Sequence, residues 1–310
     1  MGKTLVLVPN NNFYYFEKLR LENVVVSPVF RDVRGIGEIL WKTSRKMKLS
    51  ASSFFYADWY MDLGSFSKII VFDVALWMDS SLIRNIRHRI GPSTKCYLYS
   101  WNIVRDEKRI REHIDACGKY NFSYYSYDKN DCEKYGFHFN TIMYDESLRL
   151  HRCALSWDIL FLGYLKDRKA KMLALYEMLC RASMTPKFVI VGAENEQKDL
   201  PFTIRDSYVS YFEYLDMVSR SRAILDITQE GQNGFSMRVM EAIAFDKKLV
   251  STNMALLETS FYDPHNILVI DLQNPDENAL SSFLNTDFHP YSEEIKHYYS
   301  VESWIKRFEC

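Results

Sequence analysis

Two series of short apolar runs, most of them followed by an amphipathic stretch, constrain this chain more than any other feature. In the first half the runs are TLVLVP (4–9), VVVSPVF (24–30), KIIVFD (68–73), KCYLYS (95–100) and FSYYSY (122–127), with amphipathic stretches at 36–48, 79–90 and 104–116. The second half repeats the grammar with DILFLG (158–163), a helix over 167–182, KFVIVG (187–192), a helix over 211–221, AILDIT (223–228), a helix from Gly234, KLVSTN (248–253) and NILVID (266–271). Strands that are apolar along their whole length belong to parallel sheets covered on both faces, because the helical crossovers lie on those faces. The expectation is α/β: two Rossmann-like, doubly wound domains, 1–150 and 151–290, facing each other across a cleft, with 291–310 as a C-terminal helix packing back on them. Ligands of such sheets bind outside the carboxyl ends of the strands. Asp73, the segment from Gly163 to Arg168 and the segment from Asp226 to Gly234 lie at those ends.

Composition narrows the chemistry. A chain of 310 residues suits two domains, and a net charge of -1 supplies no global attraction for nucleic acid, so no nucleic-acid partner is expected. The six cysteines have no C-x-x-C spacing and the seven histidines no ligand spacing, so no metal site is expected and the thiols read as free. No run approaches the roughly 20 apolar residues that span a bilayer, and the start of the chain does not read as a signal peptide. A cytoplasmic location follows as the expectation. The helix over 41–48 carries Lys42, Arg45, Lys46 and Lys48 among Trp41 and Met47, a pattern able to rest on the anionic face of the inner membrane.

The segment DITQEGQNGFSMRVMEA runs from a strand end at Asp226 through a glycine-containing loop into a helix expected to open at Gly234. Amides at a helix start suit a phosphate, Gly234 permits close approach, and Arg238 and Glu241 stand one turn apart. Arg238 can meet phosphate charge while Glu241 accepts hydrogen bonds from a ribose diol. The alternative from spacing alone is a salt-bridged solvent face.

NGFSMRVMEAIAFDKKLVSTN resembles the nucleotide-sugar motif of glycosyltransferases with the glycosyltransferase B fold, with Gly234, Phe235, Val239, Glu241, Ala242, Ala244, Lys247, Val250, Thr252 and Asn253 on matching positions. Together with YDKNDCEKYGFHFN (127–140) and DILFLGYLKDRKAKM (158–172), the wording is similar to bacterial lipopolysaccharide and capsular polysaccharide biosynthesis proteins. The resemblance implies that Glu241 holds the donor ribose, and that Gly163, Lys166, Arg168, Gln232, Asn233, Gly234, Phe235 and Arg238 form the donor nucleotide and phosphate site. Asn233 stands where the family has its first motif glutamate, which favours an inverting outcome by analogy. Lys166 and Arg168 match a cation pair that neutralises the departing diphosphate. With no D-x-D in the chain, a metal-independent transfer with no cofactor is implied. A nucleotide-sugar donor and a glycan or lipid-linked acceptor are the implied partners.

On the acceptor side a transferase needs a base, and Asp73 occupies the strand end where one belongs; Glu17, Asp32 and Glu38 are lesser candidates. Gly35 and Gly37 resemble the glycine loop of these enzymes, and Leu40, where a dinucleotide fingerprint has its third glycine, disfavours a nicotinamide site. Two other classes stay open: a nucleotide-sugar-binding subunit of an assembly complex without turnover, and a nucleotide-sugar epimerase of the same fold.

Overall fold

The computed structural model describes residues 2–11, 13–16, 18–32, 50–192, 200–274 and 276–308. The glycine loop at Gly35 and Gly37, the basic segment 41–48, Glu17 and Glu38 lie outside the described residues. The chain divides into two compact units, Met1–Thr141 with Lys306–Cys310, and Ile142–Ile305.

The first unit is built on one parallel sheet of six strands: β1 (Lys3–Val8), β2 (Val24–Pro28), β3 (Phe66–Phe72), β4 (Lys95–Ser100), β5 (Ser123–Ser126) and β6 (His138–Phe139), in the order β2-β1-β3-β4-β5-β6. β3 shows why the apolar runs form central strands: its last four residues, Ile69 to Phe72, are all fully buried, so both faces of the strand are covered. Among the helices, α1 (Leu82–Arg87), α2 (Glu107–Tyr120) and α3 (Lys129–Tyr135), the second and third begin where an aspartate caps them. Asp106 accepts from the Arg109 amide and Asp128 from the amides of Asn130 and Asp131. Asn121, in the left-handed region at φ 55°, ends α2.

The second unit has its own parallel sheet of β7 (Trp157–Gly163), β8 (Pro186–Val191), β9 (Thr203–Arg205), β10 (Ser221–Asp226), β11 (Lys248–Ser251) and β12 (Ile267–Val269), ordered β12-β11-β10-β7-β8-β9. The sequential order reverses between β7 and β10, which places the switch point of this doubly wound sheet at Gly163 and Asp226. The crossovers carry α4 (Lys169–Arg181), α5 (Tyr211–Ser219) and α6 (Met237–Ala244), followed by α7 (Glu277–Asn285). The apolar stripe Met172, Leu175 and Leu179 of α4 is buried against the sheet, with Tyr176 beside it. The α/β, two-sheet expectation is met. β6 and β9 escaped it because runs of two and three residues are too short to show a period.

The chain ends in α8 (Glu293–Tyr298) and α9 (Val301–Lys306). Tyr144 exchanges backbone hydrogen bonds with Tyr299 and Val301 in the second unit. Beyond them the chain re-enters the first unit, where Arg307 donates to Asn140 Oδ1 at 2.9 Å and Thr141 Oγ1 at 2.6 Å. Phe308 is fully buried there among Tyr97, Tyr99 and Tyr125, with ring centroids 5.3, 6.0 and 4.7 Å away. Replacing Phe308→Ala leaves a cavity in that aromatic cluster and is expected to destabilise the first unit by about 3–5 kcal/mol, measured by urea unfolding. A loss below about 1 kcal/mol would show the tail to be dispensable to the core.

Candidate functional site

The helix expected to open at Gly234 opens at Met237. Its cap is Ser236, whose Oγ accepts from the Arg238 amide at 3.2 Å and donates to Asp226 Oδ1 at 2.7 Å. Gly234 is therefore buried in the loop ahead of the helix rather than at its start, and the first-turn amides begin three residues later than the sequence suggested. The serine two residues beyond the glycine is the sequence signal of the true cap, and a glycine that also suits a phosphate loop masks it.

Asp226, fully buried at the end of β10, organises the switch point. Besides Ser236 it accepts from Ser251 Oγ at 3.0 Å, and its Oδ1 lies 3.8 Å from Arg238 Nη1. Asp226 was placed at a strand end by the sequence but given no part in the site, and Ser236 and Ser251 were missed. Arg238 also donates to the carbonyl of Leu162 on β7, and its guanidinium lies 4.8 Å above the Phe161 ring. The same ring carries Arg168 at 5.3 Å. Arg168 is buried, donating to Ile227 O at 2.7 Å and to Tyr164 O. Two guanidinium groups thus share one aromatic ring at the switch point, with Asp226 as the carboxylate paired to one of them. Arg238 Nε is buried without a hydrogen-bond partner among the described residues.

Gly163, the last residue of β7, makes this arrangement possible. A Cβ there would stand 2.7 Å from Arg238 Nη2, so any side chain would displace the guanidinium. The remaining donor-side candidates knit the adjoining loops. Exposed Lys166, itself at φ 49°, donates to Gln229 Oε1 at 3.1 Å, and Gln232 Nε2 donates to Gly234 O at 3.1 Å. Asn233 accepts at its carbonyl from Asn253 Nδ2 at 3.5 Å, and Phe235 packs edge-on to Phe261.

Glu241 does not pair directly with Arg238. It is 1% exposed, and Tyr214 on α5 donates to its Oε2 at 2.6 Å. Burial pushes the Glu241 carboxyl up to about 7, against the pull of the Tyr214 hydrogen bond and the Arg238 charge. Burial, with Glu241 beside it, holds the Tyr214 hydroxyl well above its ordinary range. Because the folded carboxyl titrates higher than the unfolded one, the native state keeps a proton that the unfolded chain releases, and stability falls as pH rises from the ordinary carboxylate range to about 7. Glu241→Gln removes that dependence. Between about pH 5 and about pH 8 the variant should lose roughly 3 kcal/mol less unfolding free energy than the wild type, read from urea titrations. Equal losses in the two proteins would contradict the buried, proton-holding carboxyl.

On the first unit, Asp73 lies at the carboxyl end of β3 in a short 3-10 turn, Asp73–Ala75. It is 5% exposed; Tyr124 donates to its Oδ2 at 3.3 Å, and the Ser100 hydroxyl is 2.9 Å from both Oδ2 and Asn102 O. Desolvation raises its carboxyl to about 6 despite the Ser100 hydrogen bond. Asp32 is exposed. Among the described residues no group of three or more His, Cys, Asp or Glu side chains is arranged to hold a metal ion.

No family model matches the chain, and no curated protein matches it by sequence. Solved structures do. An alpha-glucosyltransferase in complex with UDP and a 13-mer DNA containing a central A:G mismatch aligns over 99% of this chain and 92% of its own, with a TM-score of 0.57 and 14% identity. The same description of enzyme, in complex with UDP-glucose and DNA containing an abasic site, aligns with a TM-score of 0.56 and 14% identity over 99% and 93% of the two chains. The Anabaena protein HepE, in complex with UDP and glucose, aligns at 0.59 with 10% identity over 99% of this chain and 98% of its own. At such identities the likeness is one of fold, and it spans both sheets.

Proposed function

With the glycosyltransferase B fold as premise, we propose that this chain is a glycosyltransferase that moves a sugar from a nucleoside-diphosphate donor, UDP-linked as in the similar structures, to a glycan or lipid-linked acceptor of a bacterial surface polysaccharide. One observation carries the reading: Arg168 and Arg238 gather over Phe161 at the switch point of the second sheet, beside the buried Glu241. Leaving-group departure in glycosyl transfer builds charge on the diphosphate, and fixed guanidinium groups stabilise that charge without reorganising. In this reading Arg238 and Arg168 perform that work with Lys166 at the rim, so the transfer needs no metal ion. Glu241, ionised, accepts the hydroxyls of the donor ribose. Gly163, Gln232, Asn233, Gly234 and Phe235 shape the loops around the donor.

Asp73 is the general base that takes the acceptor hydroxyl proton. Its raised pKa suits the task, because a base titrating near the working pH combines a useful ionised fraction with real basicity. The lipopolysaccharide or capsule setting, and with it a cytoplasmic location, rests on the resemblance of the sequence. No described helix is long and apolar enough to cross a membrane. The alpha-glucosyltransferase structures contain DNA, whereas this chain's net charge of -1 offers no field for a phosphate backbone.

Isothermal titration with UDP tests the donor half. The wild type should bind, and Arg238→Ala and Glu241→Ala should each weaken binding at least tenfold, about 1.4 kcal/mol or more. Gly163→Ala should weaken it too while lowering stability by less than about 1 kcal/mol, since its clash falls on the far end of the Arg238 side chain and not on the backbone. Failure of the wild type to bind UDP at millimolar concentration would remove the reading. The acceptor half has a pH signature. kcat/KM for sugar transfer should rise with pH through about 6 and level off above it as Asp73 ionises, and Asp73→Asn should abolish that limb with most of the rate. A flat profile through that range would assign the base elsewhere. UDP binding without any transfer would favour the non-catalytic subunit.

A further inference from the structure

The buried face of α6 is apolar except at one position. Met237, Val239, Met240, Ala242 and Ile243 are buried along with Glu241. A carboxyl in such surroundings gives up hydration that an apolar side chain of similar volume would not need, so packing alone supplies no reason for it. What it meets is a pair of phenols. α5 begins after Ser210, whose Oγ accepts from the Glu213 amide at 3.1 Å, and its start carries Tyr211 and Tyr214, three residues apart on one face and both buried. Tyr214 donates to Glu241 Oε2 at 2.6 Å, and the Tyr211 hydroxyl favours the ionised form of the same carboxyl.

α5 is tied down at both ends. Beyond the Ser210 cap, Asp216 lies 3.0 Å from Arg220 Nε and from His151 Nε2, and Ser219 Oγ donates to Leu215 O at 2.9 Å. A hydroxyl on so fixed a helix restricts the carboxyl it touches, because few combinations of the glutamate side-chain torsions keep Oε2 on the Tyr214 hydroxyl. Electrostatics act in the same direction. Burial disfavours the ionised carboxyl, and Tyr214, Arg238 and Tyr211 favour it, in that order, with Asp226 opposing them least of all. Burial and the neighbouring Glu241 hold the Tyr214 hydroxyl protonated, so it serves as a donor throughout the working range. With Tyr214 committed to Oε2, the carboxylate keeps lone pairs for further donors, and two neighbouring hydroxyls are what a ribose offers.

We infer that Tyr214, with Tyr211 beside it, is a positioning residue of the donor site: its hydroxyl holds the Glu241 carboxylate in the orientation that receives the 2′- and 3′-hydroxyls of the donor ribose. This role rests on the donor reading of Glu241 and adds a substrate class to it. The chain takes ribonucleotide donors and rejects their 2′-deoxy counterparts, because a carboxylate fixed to meet two hydroxyls is left with an unmatched lone pair when one is missing. A carboxylate free to turn would tolerate the loss. Tyr214 acts through Glu241 and touches no substrate itself.

Titration calorimetry on the full chain tests it, as a cycle of two ligands, UDP and 2′-deoxy-UDP, against wild type and variant. The wild type should prefer UDP by about tenfold or more. Tyr214→Phe, which removes only the hydroxyl, should cost UDP more than 2′-deoxy-UDP, so that the preference falls by about fivefold or more. Tyr211→Phe should lower the preference by a smaller factor, and it carries the test if Tyr214→Phe does not fold. A hydroxyl that serves packing alone would weaken both ligands together and leave the preference unchanged; that result would overturn the positioning role while the donor reading stands. A wild type that binds the two nucleotides equally would overturn it as well. Binding of neither nucleotide by the wild type would remove the donor reading and the role of Tyr214 with it.

Discussion

A parallel sheet whose strand order reverses leaves two neighbouring strand ends whose crossovers depart in opposite directions, and nothing in the sheet covers the gap between them. In the second unit that gap lies between Gly163 and Asp226, and the proposed donor site depends on how it is filled. Asp226 fixes Ser236, Ser236 caps α6, and the helix thus begun holds Arg238 where it meets β7 and Glu241 one turn further in, against Tyr214. Removing the Asp226 carboxylate would release the cap, the guanidinium and the hydroxyl of Ser251 together. Gly163 completes the arrangement by having no Cβ in the guanidinium's path.

The arrangement is costly to the fold in the way binding sites are. Glu241 and Asp73 are carboxyls held at about 7 and about 6 by burial. Each resists its charged form in the absence of a ligand. Stability elsewhere comes from ordinary sources: apolar strands covered on both faces, and aspartate and serine caps. Buried lysines add to it where all their needs are met, as at Lys248, whose Nζ donates to His265 O, Phe283 O and Thr286 Oγ1. That satisfied cation contrasts with Arg238 Nε at the switch point, which is buried without a hydrogen-bond partner among the described residues.

The two sheets were legible in the sequence because runs such as KIIVFD and AILDIT are apolar throughout, which only a doubly covered strand tolerates. The same reading placed Asp73, Gly163 and Asp226 at strand ends, which is a matter of counting along each run. What a linear pattern does not encode is which side chain meets which across the fold. Arg238 and Glu241, one turn apart, suggested a pair; instead each turns to a partner on another element, Asp226 and Tyr214. Tyr214 was given no part because a tyrosine on an amphipathic helix has no spacing to read. Its relation to Glu241, 27 positions away in the chain, exists only once α5 and α6 are assembled. The start of α6 was missed by three residues because glycine and serine both open helices, and only the hydrogen bond from Ser236 to Asp226 decides between them.

The most direct test is a crystal structure of the protein with UDP bound. The account predicts the diphosphate outside the ends of β7 and β10, with Arg238 within hydrogen-bonding distance of a phosphate oxygen and the ribose hydroxyls on Glu241. A nucleotide seated at any other edge of either sheet, with Arg238 still turned wholly to Asp226 and Leu162, would contradict it.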